Sequence, residues 1–241
     1  MRILVVLAAL AVLLAAPAGR AETDADQLWQ RVVAAYDALG TYSDSGEIVT
    51  EYGSGTAVEI RERHRFKTAL KRPRQFYFEF NEDPDAGADR FVIWCEGAEF
   101  NSWWLTTKVH DVYPQGKGID AFAVASLPTK GTAVLIPGLL FGSAGLQGPL
   151  HSLEDLRLDG SERIDGRDHI KLSGIVREKY GTSYVSSEYP ATLWIDRDSL
   201  LIRRILQDTP LGGGGINRSL TTLDPVAGPE VDDAAFRFSP P

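Results

Sequence analysis

The spacing of apolar and polar positions changes period along the chain. Between residues 22 and 39, Leu28, Trp29, Val32, Val33, Tyr36 and Leu39 recur at helical spacing and draw one apolar stripe along an amphipathic helix. Thr23 or Asp24 caps its start, Glu22, Asp24 and Asp26 place negative charge where the helix dipole favours it, and Gly40 stops it. After Gly40 the period falls to two. Val58, Ile60 and Phe66 share one parity, whereas Glu59, Arg61, Arg63, Arg65 and Lys67 share the other, as in a strand with one buried and one charged face. Phe76, Phe78 and Phe80 repeat this alternation. Strand-like runs at 91–94, 100–105 and 109–113 follow across short gaps that suit hairpin turns, so the sheet is expected to be antiparallel.

From residue 114 to 149 the strand signal fades. This stretch carries the apolar run Thr132 to Phe141, interrupted by Pro137 and Gly138, and its length predicts a lid, a binding loop or short helices. Strands then resume. Leu153, Leu156 and Leu158 lead to a turn at Gly160; Ile170, Leu172 and Val176 alternate with His169, Lys171 and Arg177. Runs at 192–196 and 200–206 flank a hairpin signal at Arg197-Asp198-Ser199, and 217–223 forms a last strand after the glycine loop Gly212 to Gly215. One N-terminal helix and about ten strands predict a single α+β domain built on a large curved antiparallel sheet, without repeats or linkers.

Composition narrows the function. The chain has 241 residues, 44% hydrophobic and 24% charged, which is ordinary globular usage. Its formal net charge of −8 makes it a poor candidate for holding phosphate backbones, which needs clustered cations. One cysteine excludes an intramolecular disulfide and a cysteine-cluster zinc site. At the N-terminus, Arg2 precedes an apolar run from Ile3 to Ala16, shorter than the roughly 20 residues a membrane span requires. Small residues end it, with cleavage positions after Ala18 or Ala21; residues 1–21 therefore read as a secretory signal peptide and 22–241 as one exported, periplasmic domain. Losing Arg2 and Arg20 but no acid takes the charge from −8 to −10. No cysteine follows either site, so the new N-terminus cannot be acylated.

Catalytic signatures are missing. There is no G-x-S-x-G, H-E-x-x-H or phosphate-binding loop, so no catalytic residue, cofactor or metal is assigned. His64, His110, His151 and His169 are each isolated; Glu82, Asp83, Asp85 and Asp89 read as a solvated acidic hairpin tip, with a weak calcium site as the alternative. Cys95 reads as a small buried hydrophobe. The aromatics are denser: Phe76, Tyr77, Phe78, Phe80, Trp94, Phe100, Trp103 and Trp104 crowd into one part of the chain. They form either plain core or the wall of a greasy cavity closed by the apolar 132–141 segment. A cavity of that kind suits an acyl chain, because each buried CH₂ contributes about 0.8 kcal/mol.

Four features together resemble the bacterial LolA-like superfamily, which includes the periplasmic outer-membrane lipoprotein carrier, its receptor partner and periplasmic proteins of the DUF2092 type. They are the exported helix running into a tyrosine-rich first strand (Tyr36 to Tyr52); Leu70-Lys71-Arg72-Pro73 before Phe76-Tyr77-Phe78; Trp94-Cys95-Glu96-Gly97 leading to Trp103-Trp104; and the ending Asp233-Ala234-Ala235-Phe236-Arg237-Phe238-Ser239-Pro240-Pro241. Ile164-Asp165-Gly166 and Leu193-Trp194-Ile195-Asp196 are similar to the second half of such proteins. The resemblance implies an unclosed β half-barrel with helices or loops as a lid over a hydrophobic cavity. It implies acyl-chain contacts from Phe66, Phe76, Phe78, Phe80, Trp94, Trp103, Leu105, Ile136, Leu139, Leu140 and Phe141, and a lid latch at Arg72. Physically an arginine suits a latch, since its fork satisfies several lid carbonyls at once. The 114–149 region does not match the carriers' lid closely, and the glycine loop is this chain's own.

The expected function is a non-enzymatic, monomeric periplasmic carrier or binding protein for lipoprotein acyl chains or other lipids, with inner- and outer-membrane transfer proteins as partners and no nucleic acid. Two alternatives stand beside it: a lipid or peptide sensor that touches a membrane signalling protein, and a hydrolase or isomerase using His64 or His169 as base.

Overall fold

The computed structural model describes residues 24–54, 57–81, 89–114, 116–179, 186–209 and 215–241. The expected signal peptide, Glu82, Asp83 and Asp85 of the acidic loop, and Gly212 to Gly214 lie outside the described residues.

Helix α1 (Asp24–Asp37) buries Ala25, Leu28, Val32 and Tyr36, the stripe that the helical spacing draws. Strands β1 (Thr41–Ser54), β2 (Ala57–Lys71), β3 (Gln75–Asn81), β4 (Arg90–Glu96), β5 (Phe100–Trp104) and β6 (Val109–Tyr113) follow. Helices α2 (Ile119–Ser126) and α3 (Thr132–Leu140) interrupt the strands. Then come β7 (Leu153–Ile164), β8 (Arg167–Lys179), β9 (Ser186–Asp196), β10 (Ile202–Asp208), β11 (Gly215–Leu223) and the short β12 (Val226–Ala227).

All twelve strands join one antiparallel sheet in the order β6-β5-β4-β3-β2-β1-β11-β10-β9-β8-β7, with β12 beside β1. Edge strands β6 and β7 do not meet, so the half-barrel is unclosed. Its inner face is held by register. Phe76, Phe78 and Phe80 pair with Leu70, Thr68 and Phe66 on one side and with Cys95, Ile93 and Phe91 on the other. Gly46 makes room for this face: a Cβ there would lie 2.3 Å from the Phe66 ring.

Helix α3 is apolar all round and buried at every position. That pattern belongs in a core, so the segment expected to close the cavity is instead its central filling. Preceding it in the chain, α2 buries Ala121, Phe122 and Ala125 against the sheet and α3 but leaves Val124, and Leu127 just past its end, exposed.

Three local expectations need correction. Val58 and Ile60, assigned to the buried parity of β2, are 49% and 55% exposed. β3 pairs with β2 only from Arg65 onward, so the far half of the β1–β2 hairpin projects past that neighbour. Gly160 does not end a strand; with φ at +91° it sits where the β7–β8 register slips between Leu158 and Ser161, and the turn comes at Asp165-Gly166. Finally, β3 and β4 are buried on both faces rather than one, because the C-terminal segment covers the outside.

Candidate functional site

The site begins at the end of β2. Arg72 follows its last residue, and its backbone N–H donates to Gly40 O at 2.8 Å. Its guanidinium Nε donates to Leu39 O at 2.8 Å and its Nη2 to Leu140 O at 2.7 Å. Leu39 lies just past the end of α1, and Leu140 is the last residue of α3. Helix C-termini leave carbonyls without intrahelical partners and carry partial negative charge, so one cation answers both helix ends. A hydrogen bond to a charged donor is worth about 1.5–3 kcal/mol.

Next to it, four rings close α2 and α3 against the sheet. Phe76 of β3 meets Phe122 of α2 and Phe141 beyond α3 edge-on, each at 5.2 Å between centroids. Phe100 of β5 meets the same two rings at 5.5 and 5.8 Å. Each such pair adds about 0.5–1.5 kcal/mol beyond its area burial. A cavity of about 230 Å³ opens beside them, lined also by Leu70, Cys95 and Ile119. A second cavity, of about 670 Å³, lies against the start of α3 and is walled by β1, β9, β10 and β11. The expected single hollow is thus divided: α3 occupies its middle, and open space remains toward its two ends.

Most of the expected contact residues come together. Phe66, Phe76, Phe78, Phe80, Ile136, Leu139 and Leu140 are buried in one core, with Phe141 packed against it. Trp94, Trp103 and Leu105 are not part of that face. They cluster with Tyr77, Val92, Phe236 and Phe238 on the outside of the sheet. Trp94 pairs with Tyr77 and lies between the inward residues Ile93 and Cys95, and side chains alternate along a strand. Phe91, Ile93 and Phe100 on the inner face and Phe122 of α2 are among the core residues that the expected contact set leaves out. Counting by twos from the Phe76–Phe80 register would have found Phe91 and Ile93.

The C-terminal segment fastens the outer cluster. Phe236 is fully buried, and Phe238 packs on Trp94 at 5.0 Å and Trp103 at 5.5 Å. Lys71 pairs with Asp233 at 2.6 Å, and Arg237 with Glu96 at 3.2 Å. Below it, burial alone would raise the Glu79 carboxyl, but the Tyr77 hydroxyl, Arg90 and Lys67 outweigh it and hold the group at about 2.

Elsewhere, Glu62 lies between His64 and Lys130, and pairs with Lys130 at 3.1 Å. His64 is buried on the inner face, its ring tilted against Phe80 at 5.3 Å and 3.5 Å from Glu62, whereas His169 is buried on the outer face with Nδ1 at 3.0 Å from Arg167 O. Asp89 organises the turn after β5, accepting from Trp104 Nε1 and from Thr106 N. Among the described residues no three metal-binding side chains converge. Asp44 is fully buried beneath α1; burial pushes its carboxyl up to about 6, against hydrogen bonds from Tyr42 and Thr68.

No family model matches the chain, and no curated protein matches its sequence. Solved structures do. The LolA superfamily protein NE2245 from Nitrosomonas europaea is 11% identical with a TM-score of 0.39, over 89% of this chain and 97% of its own. LprF from Mycobacterium bovis is 14% identical with a TM-score of 0.44, over 86% and 94%. The Pseudomonas aeruginosa MucA/MucB complex gives 18% identity and a TM-score of 0.40, over 86% of this chain and 59% of that one.

Proposed function

We propose that this chain is an exported, non-enzymatic carrier or binding protein for acyl chains of lipoproteins or other lipids, held in a closed state. The observation that carries the reading is the double grip of Arg72, which ties the sheet to the ends of α1 and α3 while α3 fills the concave face. Polar bonds at a helix end are directional, so a modest shift of α3 breaks the bond to Leu140 while Leu39 O keeps its own. Phe66, Phe78 and Phe80 share one buried core with Ile136, Leu139 and Leu140 of α3, and an acyl chain can replace apolar contacts of that core at about 0.8 kcal/mol per CH₂. The four-ring cluster closes the same end and reopens without leaving an unpaired polar group. Donor and acceptor membrane proteins are the partners such a carrier serves.

The reading is tested by extracting lipid from natively purified protein and by measuring uptake of a fluorescent fatty acid. Retained acyl lipid or saturable uptake near one chain per protein is expected. Protein that arrives empty and takes up no fatty acid contradicts the proposal.

A further inference from the structure

The concave face is not apolar throughout. Toward the α2–α3 connection its wall changes to uncharged polar side chains: Thr50, Tyr52, Tyr189, Gln207, Asn217 and Ser219 line the cavity of about 670 Å³. That volume falls within the usual range for small-molecule sites, about 300–1,000 Å³. Gly131, just before α3, also lines it, so it lies at the opposite end of the helix from Leu140 and Arg72. Ile48 and Leu135, both members of the buried core, join this polar wall to the apolar interior.

The chemistry of the lining is selective. Among the described residues around the cavity the one charged side chain is Lys130, which pairs with Glu62 at 3.1 Å. The wall therefore offers an anion no net cation, and an ion taken there loses water without gaining a counter-charge. What it offers instead is neutral donors and acceptors; Gln207 Nε2 already donates to Tyr189 OH at 3.3 Å. Hydroxyls and amides of this kind are matched one for one by the hydroxyls of a neutral head group that displaces water.

We infer that this cavity holds the head group of the bound lipid and selects uncharged, hydroxyl-rich head groups over anionic phosphodiesters. The inference rests on the acyl-chain reading above. The chain attached to such a head group enters past Ile48 and Leu135, at the N-terminal end of α3.

The full mature chain is titrated with two lipids carrying identical dioleoyl chains, a monogalactosyl diacylglycerol and a phosphatidylglycerol, each in competition with a fluorescent fatty acid. The galactolipid is expected to compete about tenfold more strongly, the equivalent of one or two net hydrogen bonds. Asn217→Lys, which adds a cation to the wall, is expected to reverse the order. Equal competition, or a phosphatidylglycerol advantage in the wild type, overturns the head-group inference and leaves the acyl-chain reading standing. An order unmoved by Asn217→Lys in a folded variant also overturns it. Binding of neither lipid nor fatty acid overturns the acyl-chain reading, and this inference with it.

Discussion

Arg72 donates from Nη2 to the carbonyl of Leu140 across 2.7 Å, and this bond joins the turn after β2 to the last residue of α3. The same guanidinium reaches Leu39 O at 2.8 Å, so the ends of two helices share one cation. Removing it leaves both carbonyls to find other donors. Arg72→Leu is expected to lower the stability of the empty protein by about 2–4 kcal/mol in denaturant titration, and to speed fatty-acid uptake and release. Arg72→Lys is expected to fall between the two, because an ammonium is a point charge without the fork that spans both carbonyls. Uptake and release rates equal to wild type in both variants would remove the latch role.

Phe141 faces Phe76, Phe100 and Phe122. Because it is only partly buried, Phe141→Glu places its charge within reach of solvent, whereas Leu139→Glu would bury one. Phe141→Glu is expected to keep the far-ultraviolet circular dichroism of the sheet while reducing fatty-acid affinity at least about tenfold. Leu139→Glu is expected to destabilise the whole fold by several kcal/mol. Wild-type affinity in a folded Phe141→Glu protein would take this end of α3 out of the binding route.

Trp94 and Trp103 lie outside the half-barrel beneath Phe236 and Phe238. Phe236→Ala is expected to cost about 3 kcal/mol and to shift tryptophan emission to the red as the outer cluster hydrates. Fatty-acid affinity is expected to stay at its wild-type value. A parallel loss of affinity would show that the two faces are coupled.

Two carboxyls of opposite sense contribute to the acidic limb of stability. The Asp44 carboxyl moves from an ordinary value of 3.8 to about 6 through burial, so its contribution is fully present below 3.8 and is lost as pH rises through 6. Glu79, held down from 4.5 to about 2, contributes above 4.5 and loses that contribution as pH falls through 2. Between pH 4.5 and 7.5 Asp44 lowers stability as pH rises, while His151, its imidazole held below 6.5 by burial, acts in the opposite sense. Asp44→Asn is expected to melt higher than wild type at pH 7.5, by up to about 3 kcal/mol, with the gain vanishing near pH 4. A gain independent of pH would show that Asp44 does not titrate in this window.

Sequence pattern carried the fold wherever one face of an element meets solvent or one stripe meets the core. The α1 stripe and the Phe76–Phe80 alternation are of this kind, and both stand as read. Pattern failed where both faces are covered. The run Phe91 to Cys95 is apolar without a break, so it has no parity to read, and the cover over Trp94 comes from Phe236 and Phe238 at the far end of the chain. Helix α3 hid for the same reason: buried on every side, with Pro137 inside it, it draws no stripe. Val58 and Ile60 show the converse. Their alternation is regular, but the strand that would cover them starts further along. Arg72 was legible because Lys71-Arg72-Pro73 resembles a motif, while its two carbonyl partners come from segments whose endings only the fold brings together.

The central claim is that an acyl chain takes the place of α3 against the inner face of the sheet. A photoreactive fatty acid bound to the protein and cross-linked by light tests it most directly, with the labelled residues located by peptide mass spectrometry. The account predicts label on the segments carrying Phe66, Phe78 and Phe80 and on α3 at Ile136 or Leu139, competed away by unlabelled fatty acid. Label confined to the outer cluster of Trp94, Trp103 and Phe238, or spread over exposed positions and insensitive to competitor, would contradict it.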